Sequence, residues 1–166
     1  CDVAVISLGG IAASRSIKVG GDAFDESIVN HMKKAHNLLI GKNTAEDIKI
    51  KIGSVSSYDG EGAMDVKGRN LTDGLPKSVE ITSAEIRDVL AEPVSKIIAA
   101  IKETLEVTLP ELAADIIDRG IYLAGGSSQL RGLPELISKE TKMQVHIPEK
   151  PLDCVALGTS IKLRRA

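Results

Sequence analysis

Hydrophobic positions recur at two different periods along this chain, and the switches between them predict its elements. Val3-Ala4-Val5-Ile6 and residues 11–19 read as strands. In the second, Ile11, Ala13, Arg15, Ile17 and Val19 share one face, and Ala12, Ser14, Ser16 and Lys18 the other. Gly9-Gly10 supplies the positive φ that a tight hairpin turn requires. From about Ala23 to Asn37 the period becomes helical, with Phe24, Ile28, Met32 and Ala35 on one side. A break at 40–43 follows. Asn43-Thr44-Ala45-Glu46 then predicts a capped helix start that turns Ile48 and Ile52 inward and stops near Gly53. Residues 54–62 are small, polar and turn-rich. Met64 to Gly68 and Ser78 to Thr82 alternate as two short strands, with Asn70, Asp73, Gly74 and Pro76 supplying turn chemistry between them.

The strongest helical signal starts at Thr82-Ser83-Ala84-Glu85, a capping box. Ile86, Val89, Leu90, Val94, Ile97, Ile98, Ile101 and Leu105 form one stripe over about six turns. Pro93 inside it predicts a kink or a split. Pro110 to Asp118 reads as a short helix with Pro in its first turn. Gly120 to Ala124 reads as a buried strand, Gly125 to Leu133 as a glycine- and serine-rich connection, and 134–141 as a helix. Val145-His146-Ile147 reads as a short strand. The last helix, Asp153 to Arg164, offers Val155, Leu157, Ile161 and Leu163 for burial. The alternation of strands and helices defines an α/β class. The more polar block 41–82 reads as a small lobe inserted into a larger one.

Composition narrows the function classes. With 166 residues, 43% apolar, 27% charged and a formal net charge of −2, the chain is neither disordered nor collagen-like nor a strongly basic nucleic-acid binder. No stretch reaches the ~20 apolar residues of a membrane span. Phe24, Tyr58 and Tyr122 are the only aromatic residues besides the histidines, which weakens a base-stacking role. Cys1 and Cys154 do not form a disulfide framework, and no signal-peptide pattern precedes the first strand, so the compartment is read as cytoplasmic. The sequence starts at Cys1 without Met and runs directly into a strand, so it reads as a fragment of a longer protein.

Two constellations could carry chemistry. Gly125, Gly126, Ser127, Ser128 and Gln129 follow a strand and precede a helix. Glycines there admit a ligand to the backbone, and hydroxyls and free amides suit a phosphate or a nucleoside. The plainer reading is a tight turn with serine caps. It is neither a Walker loop nor a full GxGxxG fingerprint. Glu46 and Lys49 share one helix face three positions apart, an acceptor beside a donor. The plainer reading gives Glu46 to the capping box with Asn43 and Lys49 to solvent. His31, His36 and His146 show no metal-ligand spacing, and His31 and His36, five apart on a helix, are expected to point in different directions. Cys154, near a helix start, reads either as a thiol of lowered pKa or as a small buried residue. Lys33-Lys34 and Arg164-Arg165 read as solvated faces.

Taken together and in order, several strings resemble the second half of the MreB family, the bacterial actin homologues that determine rod shape. They are Asp2 to Leu8, Gly20-Gly21-Asp22 with Phe24-Asp25-Glu26, Asn37 to Gly41, Thr44-Ala45-Glu46 with Ile48-Lys49, and Val66 to Leu71. Pro110 to Ile116, Leu133 and Leu152 to Gly158 continue the series, so the resemblance covers essentially the whole chain. It implies the second lobe of an actin-like (ribonuclease H-like) ATPase fold, a mixed sheet flanked by helices. Residues 1–40 and 83–166 would form the larger subdomain and 41–82 a smaller α+β insertion. It implies ATP or ADP with Mg2+ between two lobes. Glu46 and Lys49 match the contacts to the nucleoside, and Gly125, Gly126, Ser127, Ser128 and Gln129 match the second nucleotide loop. Gly20, Gly21 and Asp22 match the lining of the same cleft. Ser127 stands where the family loop has a third glycine, and Cys1 where it usually has Thr. The resemblance places the phosphate loops and the catalytic carboxylate upstream of Cys1. The longer protein would then be a slow ATPase, while this chain alone binds nucleotide weakly and does not hydrolyse it. It further implies polar filaments under the cytoplasmic membrane, membrane contact through the first lobe, membrane-anchored shape and wall-synthesis proteins as partners, and no nucleic acid. A non-polymerising ATPase of the chaperone or sugar-kinase type is the alternative, and an interaction module without nucleotide is a third reading.

Overall fold

The structure, a computed structural model, describes residues 1–163. In chain order its elements are strands β1 (Asp2–Ser7) and β2 (Gly10–Ser16), helix α1 (Gly21–His36), strand β3 (Leu38–Leu39) and helix α2 (Lys42–Ile52). Strands β4 (Ala63–Asn70) and β5 (Pro76–Thr82) and helices α3 (Ser83–Glu106) and α4 (Pro110–Arg119) follow. The last part holds β6 (Ile121–Tyr122), a 3-10 turn (Gly126–Gln129), α5 (Leu133–Thr141), β7 (Val145–His146) and α6 (Cys154–Leu163). Arg164 and Arg165 lie outside the described residues.

The strands pair as three separate sheets. β1 and β2 form an antiparallel hairpin, β3-β4-β5 an antiparallel three-stranded sheet, and β6 and β7 a parallel pair. The hairpin turn differs from the sequence expectation. Its positive-φ residues are Leu8 (49°) and Gly9 (78°), while Gly10 already pairs with Ser7. Leu8 is fully exposed, so no packing opposes its left-handed conformation. β3 was not anticipated. It is two residues long, and its pairing of Leu38 with Asn70 and Leu39 with Arg69 is a long-range event. Gly68 makes it possible. A Cβ there would stand 2.5 Å from the Leu39 carbonyl oxygen.

One apolar cluster runs through the molecule. Phe24, Ile28 and Met32 of α1 meet Ile48 of α2, Ile81 of β5, Ile86 and Leu90 of α3, and Ile137 of α5, all without exposed surface. The long stripe of α3 supplies the cluster's spine, and α3 runs unbroken through Pro93 rather than splitting. Half of the expected capping box forms: the Glu85 N–H donates to the Thr82 hydroxyl at 3.2 Å, while the Glu85 carboxylate turns to His31 and His36 instead of the Thr82 N–H. Thr82→Ala is expected to cost about 1 kcal/mol, read as a lower denaturant midpoint at unchanged m-value.

Three burial expectations fail. Ala35 is exposed rather than part of the α1 stripe. The strand expected at 120–124 shortens to β6, with Tyr122 70% exposed, because among the described residues only β7 pairs with it. Val155, Leu157, Ile161 and Leu163 of α6 are exposed rather than buried. Their apolar character calls for a partner surface, but among the described residues no element packs extensively against α6.

Candidate functional site

A cleft of about 560 Å³ opens where the first turn of α1, one face of α2 and the 3-10 turn converge. Gly21 and Asp22 begin α1. Gly20 stands at its N-cap with no side-chain cap, so the first-turn amides keep no side-chain partner. The capping box expected for α2 does not form. Gly41 is the N-cap, Asn43 lies inside the helix, and no side chain caps it. Glu46 is therefore not spent on a cap, and its exposed carboxylate lines the cleft.

Nor is Lys49 solvated. Its side chain is 15% exposed and its Nζ sits 2.8 Å from Oδ1 of Asp25, itself only 9% exposed. The ammonium also donates to the Gly21 carbonyl at 3.4 Å. An ammonium has three donors, so the Gly21 carbonyl leaves donor capacity for the cleft. Asp25 Oδ1 has no properly directed hydrogen bond, so the pair is held chiefly by charge. The sequence reading had missed Asp25 as a site residue, because two residues on different helices leave no periodic signature.

The loop residues divide into two groups. Gly126, Ser127 and Gln129 line the cleft. Gly125 and Ser128 hold the turn instead. Gly125 adopts φ 86° and donates its N–H to the Pro151 carbonyl at 2.7 Å, and the buried Ser128 hydroxyl donates to the Gly125 carbonyl at 2.7 Å. Ser127 Oγ and Lys49 Nζ both lie within 4 Å of the point where a Gly21 side chain would begin. Residues distant in sequence thus meet at one place. Gly20 is adjacent as the α1 cap but does not line the cleft.

Arg131 was also missed. It lines the cleft, donates to the Lys51 carbonyl at 2.7 Å, and lays its guanidinium 5.1 Å from the centroid of the Tyr58 ring. Phe24, Ile50, Leu130 and Leu152 supply apolar walls. The cleft so lined offers a carboxylate acceptor at Glu46, donors at Lys49 and in the loop, and apolar walls between them.

The histidine expectation is corrected. His31 and His36 do not diverge. Each places Nε2 2.5 Å from the same Glu85 Oε1, with the two rings edge to face at 5.7 Å. His36 is the last residue of α1, just before left-handed Asn37, and Glu85 reaches in from the first turn of α3. Burial pushes the Glu85 carboxyl up, but the hydrogen bonds and charges of the two imidazoles outweigh it and hold it below its ordinary value. His146 lies elsewhere, tilted against Tyr122 at 4.9 Å. Cys154 is half-buried, its Sγ 3.3 Å from the Lys150 carbonyl oxygen.

The backbone superposes on MreB5 of Spiroplasma citri bound to ADP with a TM-score of 0.93 at 42% identity, covering 96% of this chain and 49% of that one. A structure of MreB5 bound to AMPPNP matches with a TM-score of 0.92. The class so defined is the actin-like fold. The family model of the MreB/Mbl protein matches residues 1–166, and the chain belongs to that family. It is 46% identical to the cell shape-determining protein Mbl of Bacillus subtilis over 98% of its own length and 49% of that protein's. It is 45% identical to the cell shape-determining protein MreB of Escherichia coli over 95% of its length and 45% of that protein's. The chain thus spans about half the length of these relatives. The chaperone or sugar-kinase alternative is not favoured by this membership. Among the described residues no helix is long and apolar enough to cross a membrane.

Proposed function

We propose that the chain is the second-lobe part of a filament-forming actin-like protein that maintains cell shape, and that its cleft takes the nucleoside end of ATP or ADP. The observation that carries this reading is the convergence of Glu46 and Lys49 with Gly126, Ser127 and Gln129 on one cleft. The nucleotide-bound state of MreB5, a relative at 42% identity, supports it. In this reading Glu46 accepts from the sugar hydroxyls. Lys49, oriented by Asp25, donates to the nucleoside, and the loop amides and the Ser127 hydroxyl face oxygens near the first phosphate. Gly125 and Ser128 shape the turn and touch the ligand through the backbone at most. Mg2+ belongs with the phosphates, not with a ligand set in this chain. Residues 1–40 and 83–166 form the larger subdomain and 41–82 the smaller, with α2, β4 and β5 inside the latter and β3 joining them. The nucleotide clamps this lobe to a first lobe, and assembly takes place at the inner face of the cell membrane with shape and wall-synthesis proteins.

Glu46→Lys in the full-length protein tests the site. Glu46 is exposed and uncapped, so folding is expected to be untouched, while ATP affinity falls at least about tenfold, or 1.4 kcal/mol. ATP-dependent pelleting and filaments by electron microscopy should weaken in parallel. Unchanged affinity in a folded variant would remove Glu46 from the site. Absence of ATP-dependent filaments from the unmutated protein would retire the cytoskeletal reading.

A further inference from the structure

We propose that His31, His36 and Glu85 form a binding site for a borderline divalent transition-metal ion of the zinc class, separate from the nucleotide cleft. The three side chains come from the last turns of α1 and the first turn of α3, and their donor atoms all lie within 4.8 Å of one another. Donors on a tetrahedral zinc-class ion with bonds of about 2.0 Å stand about 3.3 Å apart, so modest side-chain rotations bring all three to bonding distance. Two imidazoles and one carboxylate are an N2O donor set. That set suits zinc, cobalt or nickel and is poor for calcium or magnesium, which take oxygen ligands.

Burial and position support the assignment. The three side chains are 26%, 23% and 26% exposed, which dehydrates an ion partly and leaves an open side for water. Each imidazole now donates Nε2–H to the Glu85 oxygen at 2.5 Å. On metal binding each Nε2 gives up its proton, to Nδ1 in a neutral ring or to solvent from an imidazolium, the Nε2 lone pair bonds the ion, and the carboxylate oxygen becomes the third ligand. With both imidazoles neutral the pocket carries one negative charge, matched to a dication. Nearby, Lys77 Nζ donates to the His36 carbonyl at 3.2 Å, which fixes the end of α1 without occupying a ligand atom. Gly21, Asp22 and Asp25 of the nucleotide cleft lie at the other end of the same helix, so the two sites share no residue. A bound ion would clip α1 to α3.

The test is a cobalt(II) titration of the metal-free, nucleotide-free full-length protein, followed by displacement with zinc(II). One cobalt per chain is expected at micromolar or tighter affinity, with visible d–d bands of a nitrogen and oxygen site and no thiolate charge-transfer band. That last feature separates the site from Cys1 and Cys154. His36→Ala and Glu85→Gln should each lose saturable binding while His146→Ala keeps it, with circular dichroism confirming that each variant is folded. Absence of stoichiometric binding by the unmutated protein would overturn the proposal, as would bands that persist in a folded His31→Ala/His36→Ala variant.

Discussion

Lys49→Ala is expected to lower folding stability by about 3–5 kcal/mol, because it leaves the Asp25 carboxylate buried with no counter-charge. The cost comes from the stranded partner, not from the intrinsic worth of the ion pair. A buried pair replaced as a whole is often close to neutral. Lys49→Met combined with Asp25→Leu should therefore recover most of the loss, although nucleotide affinity should stay low in both variants. Urea titrations of Lys49→Met, of Asp25→Leu and of the double variant complete the cycle. A cost below about 1 kcal/mol for Lys49→Ala would mean that water reaches Asp25 and that the pair behaves like a surface one. The comparison with Glu46→Lys is instructive. The two residues sit one helical turn apart and line the same cleft, yet one variant should damage folding and the other only binding.

Phe24→Ala should match that loss by a different route. Phe24 is the chain's single phenylalanine, has no exposed surface, and lies in the central cluster while also backing the cleft. Truncating it removes the transfer free energy of a ring and leaves a cavity that α1, α2 and α3 cannot all move to fill, so the expected cost is about 3–5 kcal/mol. At this chain length each kcal/mol moves Tm by about 2–4 °C, and the shift should be plain in a calorimetric scan. Phe24→Leu should lose well under half as much, since it keeps most of the volume. If the alanine variant melted within a few degrees of the unmutated protein, the cluster around Phe24 would be loosely packed.

Local signals carried much of this molecule. The stripe from Ile86 to Leu105 and the Thr82 cap gave α3, and the alternation around 64–68 and 78–82 gave β4 and β5. Glu46, Lys49, Gly126, Ser127 and Gln129 stood out as two short-range patterns, each with a plainer reading beside it; the resemblance to the MreB family tied them to a nucleotide, and the fold brings them to one cleft. What escaped is non-local. β3 exists only because Gly68 lets β4 approach Leu39. Asp25 finds Lys49 across two helices. Five helical positions at about 100° each separate His31 and His36 by about 140°, so spacing alone sends them apart. The helix end after His36 and the reach of Glu85 from α3 bring their nitrogens to one oxygen. The cap of α2 failed for a local reason. The chain enters the helix two residues before Asn43, at Gly41. α6 failed for the opposite one, because an apolar pattern predicts burial only where some surface covers it.

The stacking of Arg131 on Tyr58 has an optical consequence. With no tryptophan in the chain, near-ultraviolet emission comes from Tyr58 and Tyr122 alone. Tyr122 lies at the exposed β6 edge, while Tyr58 is half-buried, bonded through its hydroxyl to Ser83, and covered by a guanidinium that lines the cleft. A ligand that draws Arg131 toward itself uncovers that ring and changes its quenching. The molecule thus carries an intrinsic fluorophore at the edge of the cleft proposed for the nucleotide, and occupancy there is expected to show without a label.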